Sequence, residues 1–255
     1  MITNTKVIAA PDDDRGGQVA VAGRRGCSAM MVRVSAPEPT LSTQPSVTGS
    51  AVGRWVAGWV ALIGLTLLVT AGATKGLDRS TLGWFTVLDR PGAVHLAWRT
   101  FVMGGQFWLV GTAVVVVAAA RSWQWRSWRP FLVGTVAVVC LDVLLLTSKP
   151  LIGRTSPHSG LNEVLAGGSS YPSGHTANAT MCLALLAVLL TSTHRFRALV
   201  IAALIAAGVG ICNLVLGYHW LSEVVAGWML GALVVTAAAS RLQRPPASGS
   251  RSARA

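Results

Sequence analysis

The chain has 255 residues, of which 52% are hydrophobic and 12% are charged, and its formal net charge is +12. This balance is too apolar for most soluble domains. The apolar residues come in uninterrupted blocks that lack the polar face of a helix packed in water. These features exclude a water-soluble helical bundle and indicate a membrane protein.

The two ends of the chain differ from its middle. Residues 1–50 are rich in Pro, Gly, Ser, Thr and Ala and lack apolar periodicity, so we expect a disordered cytoplasmic tail. Residues 241–255 read RLQRPPASGSRSARA and predict a second disordered cytoplasmic tail. Residues 51–240 between them form the predicted membrane domain.

Six apolar segments approach the roughly 20 residues that a membrane-spanning helix requires. In chain order they are residues 55–74, 101–120, 131–148, 176–193, 198–217 and 220–240. The third contains Asp142, the fourth is short, and the sixth carries Glu223 near its start. The pattern predicts an all-α polytopic membrane protein, a bundle of six transmembrane helices with disordered termini.

The distribution of basic residues predicts the orientation. With six spans, 15 of the 21 Lys and Arg residues lie on the side that holds both termini, and six lie on the other side. Positive loops stay in the cytoplasm, so we expect both termini inside a multi-pass protein of the cell (plasma) membrane. The basic residues flank the spans and do not line one soluble face, which argues against a nucleic-acid partner.

An unusual polar stretch, SYPSGHTAN, occupies residues 170–178 at the start of the fourth segment. Pro172 and Ser173 suit the first turn and the cap of a helix, and Gly174 allows close approach of a ligand. A helix N-terminus presents free N–H groups that bind phosphate, and His175 would lie beside such an anion. The alternative is a plain helix start with an interfacial histidine.

A second polar pair lies four residues apart, so His219 and Glu223 share one face of a helix. A carboxylate can hold one imidazole nitrogen and leave the other free as a nucleophile or base. The alternatives are a pair that caps a span, or two metal ligands. The second histidine of a zincin motif and a carboxylate cluster are both missing, so we expect no metal and no cofactor.

The order and spacing of these residues resemble the type 2 phosphatidic acid phosphatase superfamily, which includes vanadium haloperoxidases and bacterial acid phosphatases. The family pattern is Lys, six residues, Arg-Pro; then Pro-Ser-Gly-His; then Ser-Arg, five residues, His, three residues, Asp. The corresponding residues here are Lys149 with Ser156-Pro157, the intact motif at 172–175, and Cys212-Asn213 with His219 and Glu223. The resemblance covers about residues 50–240.

The resemblance implies a role for each residue. His219 would attack phosphorus and form a phosphohistidine, Glu223 would orient it, and His175 would protonate the leaving oxygen. The phosphoryl oxygens would be held by Lys149, Ser173 and the N–H of Gly174. The implied function is a metal-independent membrane hydrolase whose site faces outward. Its implied partners are the lipid bilayer and a lipid phosphate or isoprenyl pyrophosphate substrate.

Two family arginines are replaced, by Ser156 and Asn213. Asn213 keeps a hydrogen-bond donor for phosphate but loses the charge, and charge-assisted bonds are about twice as strong as neutral ones. If residues 153–157 are extended, Arg154 and Ser156 point to the same side, and we expect Arg154 to bind the phosphate. The alternative is that Arg154 anchors to lipid head groups. A degenerate relative that binds or moves a lipid phosphate without hydrolysis is the alternative function.

Overall fold

A computed structural model describes residues 47–243, which form eight α-helices and two 3₁₀ turns. The helices are α1 (Val47–Thr70), α2 (Lys75–Thr86), α3 (Ala93–Val102), α4 (Phe107–Gln124), α5 (Arg129–Ile152), α6 (Gly174–Leu190), α7 (Arg195–Val215) and α8 (Leu221–Gln243). The 3₁₀ turns are Met103–Gly105 and Pro157–Ser159. The predicted tails lie outside the described residues, except that α1 and α8 each extend a few residues into them.

Within residues 47–243, five helices are long and apolar enough to cross a membrane: α1, α4, α5, α7 and α8. Helix α6 has 17 residues, a length of about 26 Å at the normal helical rise. That is slightly less than the roughly 30 Å of a bilayer's hydrocarbon core. The protein is therefore an all-helical membrane protein, whereas the count of six spans stays a prediction.

The segment between α1 and α4 differs from the predicted one. The sequence predicted a second span from residue 101, but Phe101 lies in α3, and the spanning helix α4 begins at Phe107. The intervening turn packs against α6, where a Cβ on Gly105 would collide with the backbone carbonyl of His175. The close approach is compatible only with glycine, and the turn separates α3 from α4.

Helix α2 buries polar residues against the bundle. Asp78 and Thr81 are buried, while Leu77 and Trp84 are exposed, the latter by 72%. Arg79 is exposed as well. Two polar residues of α2 therefore face the bundle, and the outer side of the helix is mixed in polarity.

Helix α6 lies at the centre of the bundle and packs against α4, α5, α7 and α8. Two glycines of α8 allow its close contact with α6. A Cβ on Gly227 would lie 2.7 Å from the carbonyl oxygen of Ser173, and one on Gly231 would lie 2.6 Å from that of Ala177. Small residues four apart let membrane helices approach in this way. The N-terminal ends of α6 and α8 are thereby held side by side.

We expect Gly231→Ala to destabilise the protein, because the added methyl group meets the α6 backbone, which cannot rotate away. Overpacking of this kind costs about 1–3 kcal/mol, which should lower the melting temperature of the protein in detergent. Gly64→Ala is the matched control, since a Cβ there meets nothing within 4 Å. Equal melting temperatures for the two variants would contradict the close packing of α6 and α8.

Candidate active site

The predicted site residues lie where four helix ends meet. The C-terminal ends of α5 and α7 and the N-terminal ends of α6 and α8 are at the same end of the bundle, since consecutive long helices are antiparallel. Lys149 lies in the last turn of α5, and His175 in the first turn of α6. His219 precedes α8, whose first turn contains Glu223.

His219 and Glu223 form a direct hydrogen bond. Nδ1 of His219 lies 2.8 Å from Oε2 of Glu223, and the same oxygen accepts a hydrogen bond of 3.2 Å from the backbone N–H of Trp220. The Glu223 side chain is fully buried, whereas that of His219 is 12% exposed. With Nδ1 donating to the carboxylate, Nε2 is the imidazole nitrogen with a free lone pair.

The N-terminus of α6 provides donors beside this pair. Gly174 is its first residue, and the first N–H groups of an α-helix have no partner within the helix. Nζ of Lys149 lies 3.8 Å from the position that a Cβ on Gly174 would occupy. His175 is in electrostatic range of both His219 and Lys149. The structure thus brings together a cation, a helix N-terminus and two imidazoles.

A buried hydrogen-bond network lies behind this edge. Oγ of Ser173 is 2.9 Å from Oγ1 of Thr176, which also accepts a 3.3 Å bond from Nδ2 of Asn213. The amide of Asn213 donates its other hydrogen to the carbonyl of Val209 at 3.0 Å. Both amide hydrogens are therefore used inside the protein. Asn213 thereby holds the start of α6 through Thr176, and its role as a phosphate donor stays a prediction.

The comparisons with known proteins agree with this geometry. Residues 59–245, more than half of the chain, match the family model described as the PAP2 superfamily. The chain belongs to the PAP2 superfamily. It is similar to phosphatidylglycerophosphatase B of Bacillus subtilis (strain 168), with 29% identity over 150 residues, which are 56% of this chain and 68% of that protein.

A solved structure has the same fold. It is the crystal structure of a transmembrane PAP2-type phosphatidylglycerolphosphate phosphatase from Bacillus subtilis, with a TM-score of 0.64 and 22% sequence identity. The match covers 73% of this chain and 94% of that chain. The fold of this PAP2 protein is therefore that of a membrane-embedded member of the superfamily.

The side chain of Arg154 is bound inside the protein. Its guanidinium group donates hydrogen bonds of 2.7 Å to Asp78, 2.7 Å to Ser222 and 2.8 Å to Asn162, and the side chain is 1% exposed. Its Nε lies 3.6 Å from Oε1 of Glu223. These protein groups surround the guanidinium, and its expected contact with phosphate stays a prediction.

The segment between α5 and α6 encloses Arg154. Gly153 has a φ of +56°, a conformation that favours glycine. A Cβ on Gly168 would collide with the carbonyl of Arg154. Tyr171 lies near the end of this segment, and its hydroxyl is 2.7 Å from that of Thr66 in α1. Burial raises the pKa of the Tyr171 phenol. The neutral hydroxyl ties the segment to α1.

Several residues of the site were not predicted from the sequence, namely Asp78, Asn162, Thr176 and Ser222. Asp78, Thr176 and Ser222 have partners far away in the chain, whereas Asn162 binds Arg154 from eight residues away. The sequence signal that could have pointed to Asp78 was an acidic residue in a largely apolar protein. Across residues 47–243 the structure contains no group of three His, Cys, Asp or Glu residues placed to hold a metal ion.

We expect Thr176→Val to lower the free energy of unfolding by about 1–3 kcal/mol, because it leaves an Asn213 amide hydrogen buried without an acceptor. The change preserves the shape of the side chain, so packing is retained. Thermal unfolding in detergent measures the effect. Thr180→Val is the matched control on α6, since that hydroxyl donates to the Thr176 carbonyl of its own helix. A Thr176 variant as stable as the Thr180 variant would refute the network's contribution.

Proposed function

We propose that this PAP2 protein is a membrane phosphatase that hydrolyses a lipid phosphate or isoprenyl pyrophosphate through a phosphohistidine at His219. The observation that carries the proposal is the 2.8 Å hydrogen bond between Nδ1 of His219 and the buried carboxylate of Glu223. It leaves Nε2 as the nucleophile beside Lys149 and the N-terminus of α6. The name of the Bacillus subtilis relative, a phosphatidylglycerophosphatase, supports a phospholipid phosphate as substrate.

In the proposed first step, Nε2 of His219 attacks the terminal phosphorus atom, and the bond from phosphorus to the leaving oxygen breaks. That oxygen belongs to the lipid alcohol of a lipid phosphate, or to the departing monophosphate of an isoprenyl pyrophosphate. His175 gives its proton to the leaving oxygen. Glu223 stabilises the positive charge that develops on the imidazole of His219. The negative charge on the transferring oxygens is stabilised by the ammonium group of Lys149 and by the N–H groups of α6.

In the second step, a water molecule attacks the phosphorus of the phosphohistidine, and His175 accepts a proton from this water. The bond between phosphorus and Nε2 breaks, inorganic phosphate leaves, and His219 is restored. The same histidine thus acts first as an acid and then as a base. Both roles require His175 to lie near the phosphorus. Its position directly after Gly174, the first residue of α6, supports this placement.

The proposed site faces outward. Most basic residues flank the opposite ends of the helices, which favours a cytoplasmic location for those ends. A lipid could then enter with its head group at Lys149 and its hydrocarbon tail still in the outer half of the bilayer. We propose the cell membrane as the location, with both termini in the cytoplasm.

A second candidate function is a PAP2 relative that binds or moves a lipid phosphate without hydrolysing it. The observation in its favour is the replacement of two family arginines by Ser156 and Asn213. Asn213 donates both amide hydrogens to groups inside the protein. Binding of lipid phosphates by purified protein that releases no inorganic phosphate would favour this candidate.

His219→Ala should reduce phosphate release from lipid phosphates by about 10³-fold or more, since loss of a nucleophile removes the covalent route. Glu223→Gln should retain more activity than His219→Ala, because the acid orients the imidazole and does not bond to phosphorus. The measurement is inorganic phosphate released by purified protein from a panel of lipid phosphates. His194→Ala, at the opposite end of α6, is the control with unchanged activity. A His219 variant with near-normal release would refute the mechanism.

Phosphate release should persist in EDTA, within about twofold of the untreated rate, because Lys149 and the helix N-terminus supply the stabilisation that metal ions give elsewhere. The assay compares purified protein before and after chelation, with magnesium then added back. Loss of activity in EDTA and its recovery with magnesium would contradict a metal-independent reaction.

A further inference from the structure

Asp78 of α2 is a buried acid that lies outside all three sequence motifs. Its Oδ1 accepts a 2.9 Å hydrogen bond from the backbone N–H of Ser222, and its Oδ2 accepts one of 2.9 Å from the Ser222 hydroxyl. The same Oδ2 accepts a 2.7 Å bond from Arg154. A carboxylate beside the first N–H groups of α8 is also favoured by the helix dipole. Asp78 therefore holds the start of α8 from a different helix.

Arg154 lies between two buried carboxylates. Its guanidinium bonds directly to Asp78 at 2.7 Å, but it lies 3.6 Å from Oε1 of Glu223. That oxygen has no hydrogen-bond partner within residues 47–243, whereas Oε2 bonds to His219. The ion pair between Asp78 and Arg154 therefore determines how strongly the guanidinium attracts Glu223.

We propose that Asp78 is a positioning residue for His219, acting through Arg154, Ser222 and Glu223. The proposal rests on the proposed function in treating His219 as the nucleophile. With the charge of Asp78 removed, Glu223 becomes the remaining carboxylate partner of Arg154. The guanidinium moves toward Oε1, the carboxylate turns, and the hydrogen bond that orients His219 lengthens.

Ser222 provides the second connection. It is adjacent to Glu223 in α8, and its hydroxyl accepts a 2.7 Å bond from Arg154 while donating to Asp78. Trp220, on the other side, donates from its indole N–H to the carbonyl of Thr155 at 2.9 Å. The short segment from His219 to Glu223 is therefore held by α2 on one side and by the Arg154 segment on the other.

A purely structural role for Asp78 makes a different prediction. Loss of a stabilising ion pair lowers the melting temperature, but each molecule that remains folded keeps a normal His219. A positioning role changes the reactivity of His219 in the folded molecule. The distinguishing measurement must therefore report on His219 itself and must not depend on the amount of folded protein.

The test is the rate at which diethyl pyrocarbonate modifies His219 in the full chain purified in detergent, followed by mass spectrometry of the histidine peptides. This reagent acylates the free imidazole nitrogen and requires no phosphatase turnover. Asp78→Asn should slow modification of His219 by about threefold or more, because Glu223 no longer orients and activates the ring. If His219 is modified as fast in Asp78→Asn as in the protein without the substitution, the proposal is overturned.

Asp89→Asn is the matched control, because Asp89 also pairs with a histidine on the connecting segment, at 2.9 Å from His95. This variant should change the modification rate of His95 and leave that of His219 unaltered. An equal effect of both variants on His219 would show a general response to charge and would overturn the proposal. Asp78→Glu, which keeps the carboxylate, should restore part of the rate lost in Asp78→Asn.

Single-turnover kinetics with enzyme in excess give the second readout, since this rate constant does not depend on the fraction of active protein. Asp78→Asn should lower it by about tenfold with little change in KM. If the protein without substitutions releases no phosphate from any lipid, the proposed function fails. The rates of His219 acylation still decide the role of Asp78. If Asp78→Asn does not fold, Ser222→Ala decides, because it removes the hydroxyl that joins Arg154 to Asp78. It should slow modification of His219 in the same direction, and an unchanged His219 rate in it overturns the proposal.

Discussion

The buried guanidinium group of Arg154 is the charge on which this end of the bundle depends. It lies between the carboxylates of Asp78 and Glu223, all three side chains being almost inaccessible to solvent. Removing one partner of a buried ion pair commonly costs about 3–5 kcal/mol, because the other charge is left uncompensated. The arrangement joins α2, the segment after α5, and α8, although these elements are far apart in the sequence.

Length and apolarity were sufficient to predict the long helices, because a membrane-spanning helix has few other requirements. They did not predict α2 and α3, which are short, and they misplaced the start of α4. That start is determined by the fit of Gly105 against the backbone of His175, a contact between segments that no local pattern encodes. The predicted terminal tails lie outside the described residues and stay predictions.

For the site, the sequence predicted the relations that are local in the chain. His219 and Glu223 are four residues apart, and the Pro-Ser-Gly-His motif spans the start of α6. The internal partners were not predicted. Arg154 pairs with Asp78, which lies in a helix that had not been predicted, and Asn213 donates to Thr176 of another helix. Side-chain direction near the motifs is set by such distant partners.

The burial of Asp78 on α2 has a consequence for substitution scales. On a scale of lipid preference, Asp78→Leu is a favourable change and Leu77→Lys a costly one. In the folded protein the first change enters a polar interior that has no place for a leucine, and the second changes a side chain that points away from the bundle. A ranking of variants by lipid preference alone would therefore misjudge Asp78→Leu, because the carboxylate is bound by Arg154 and Ser222 inside the protein.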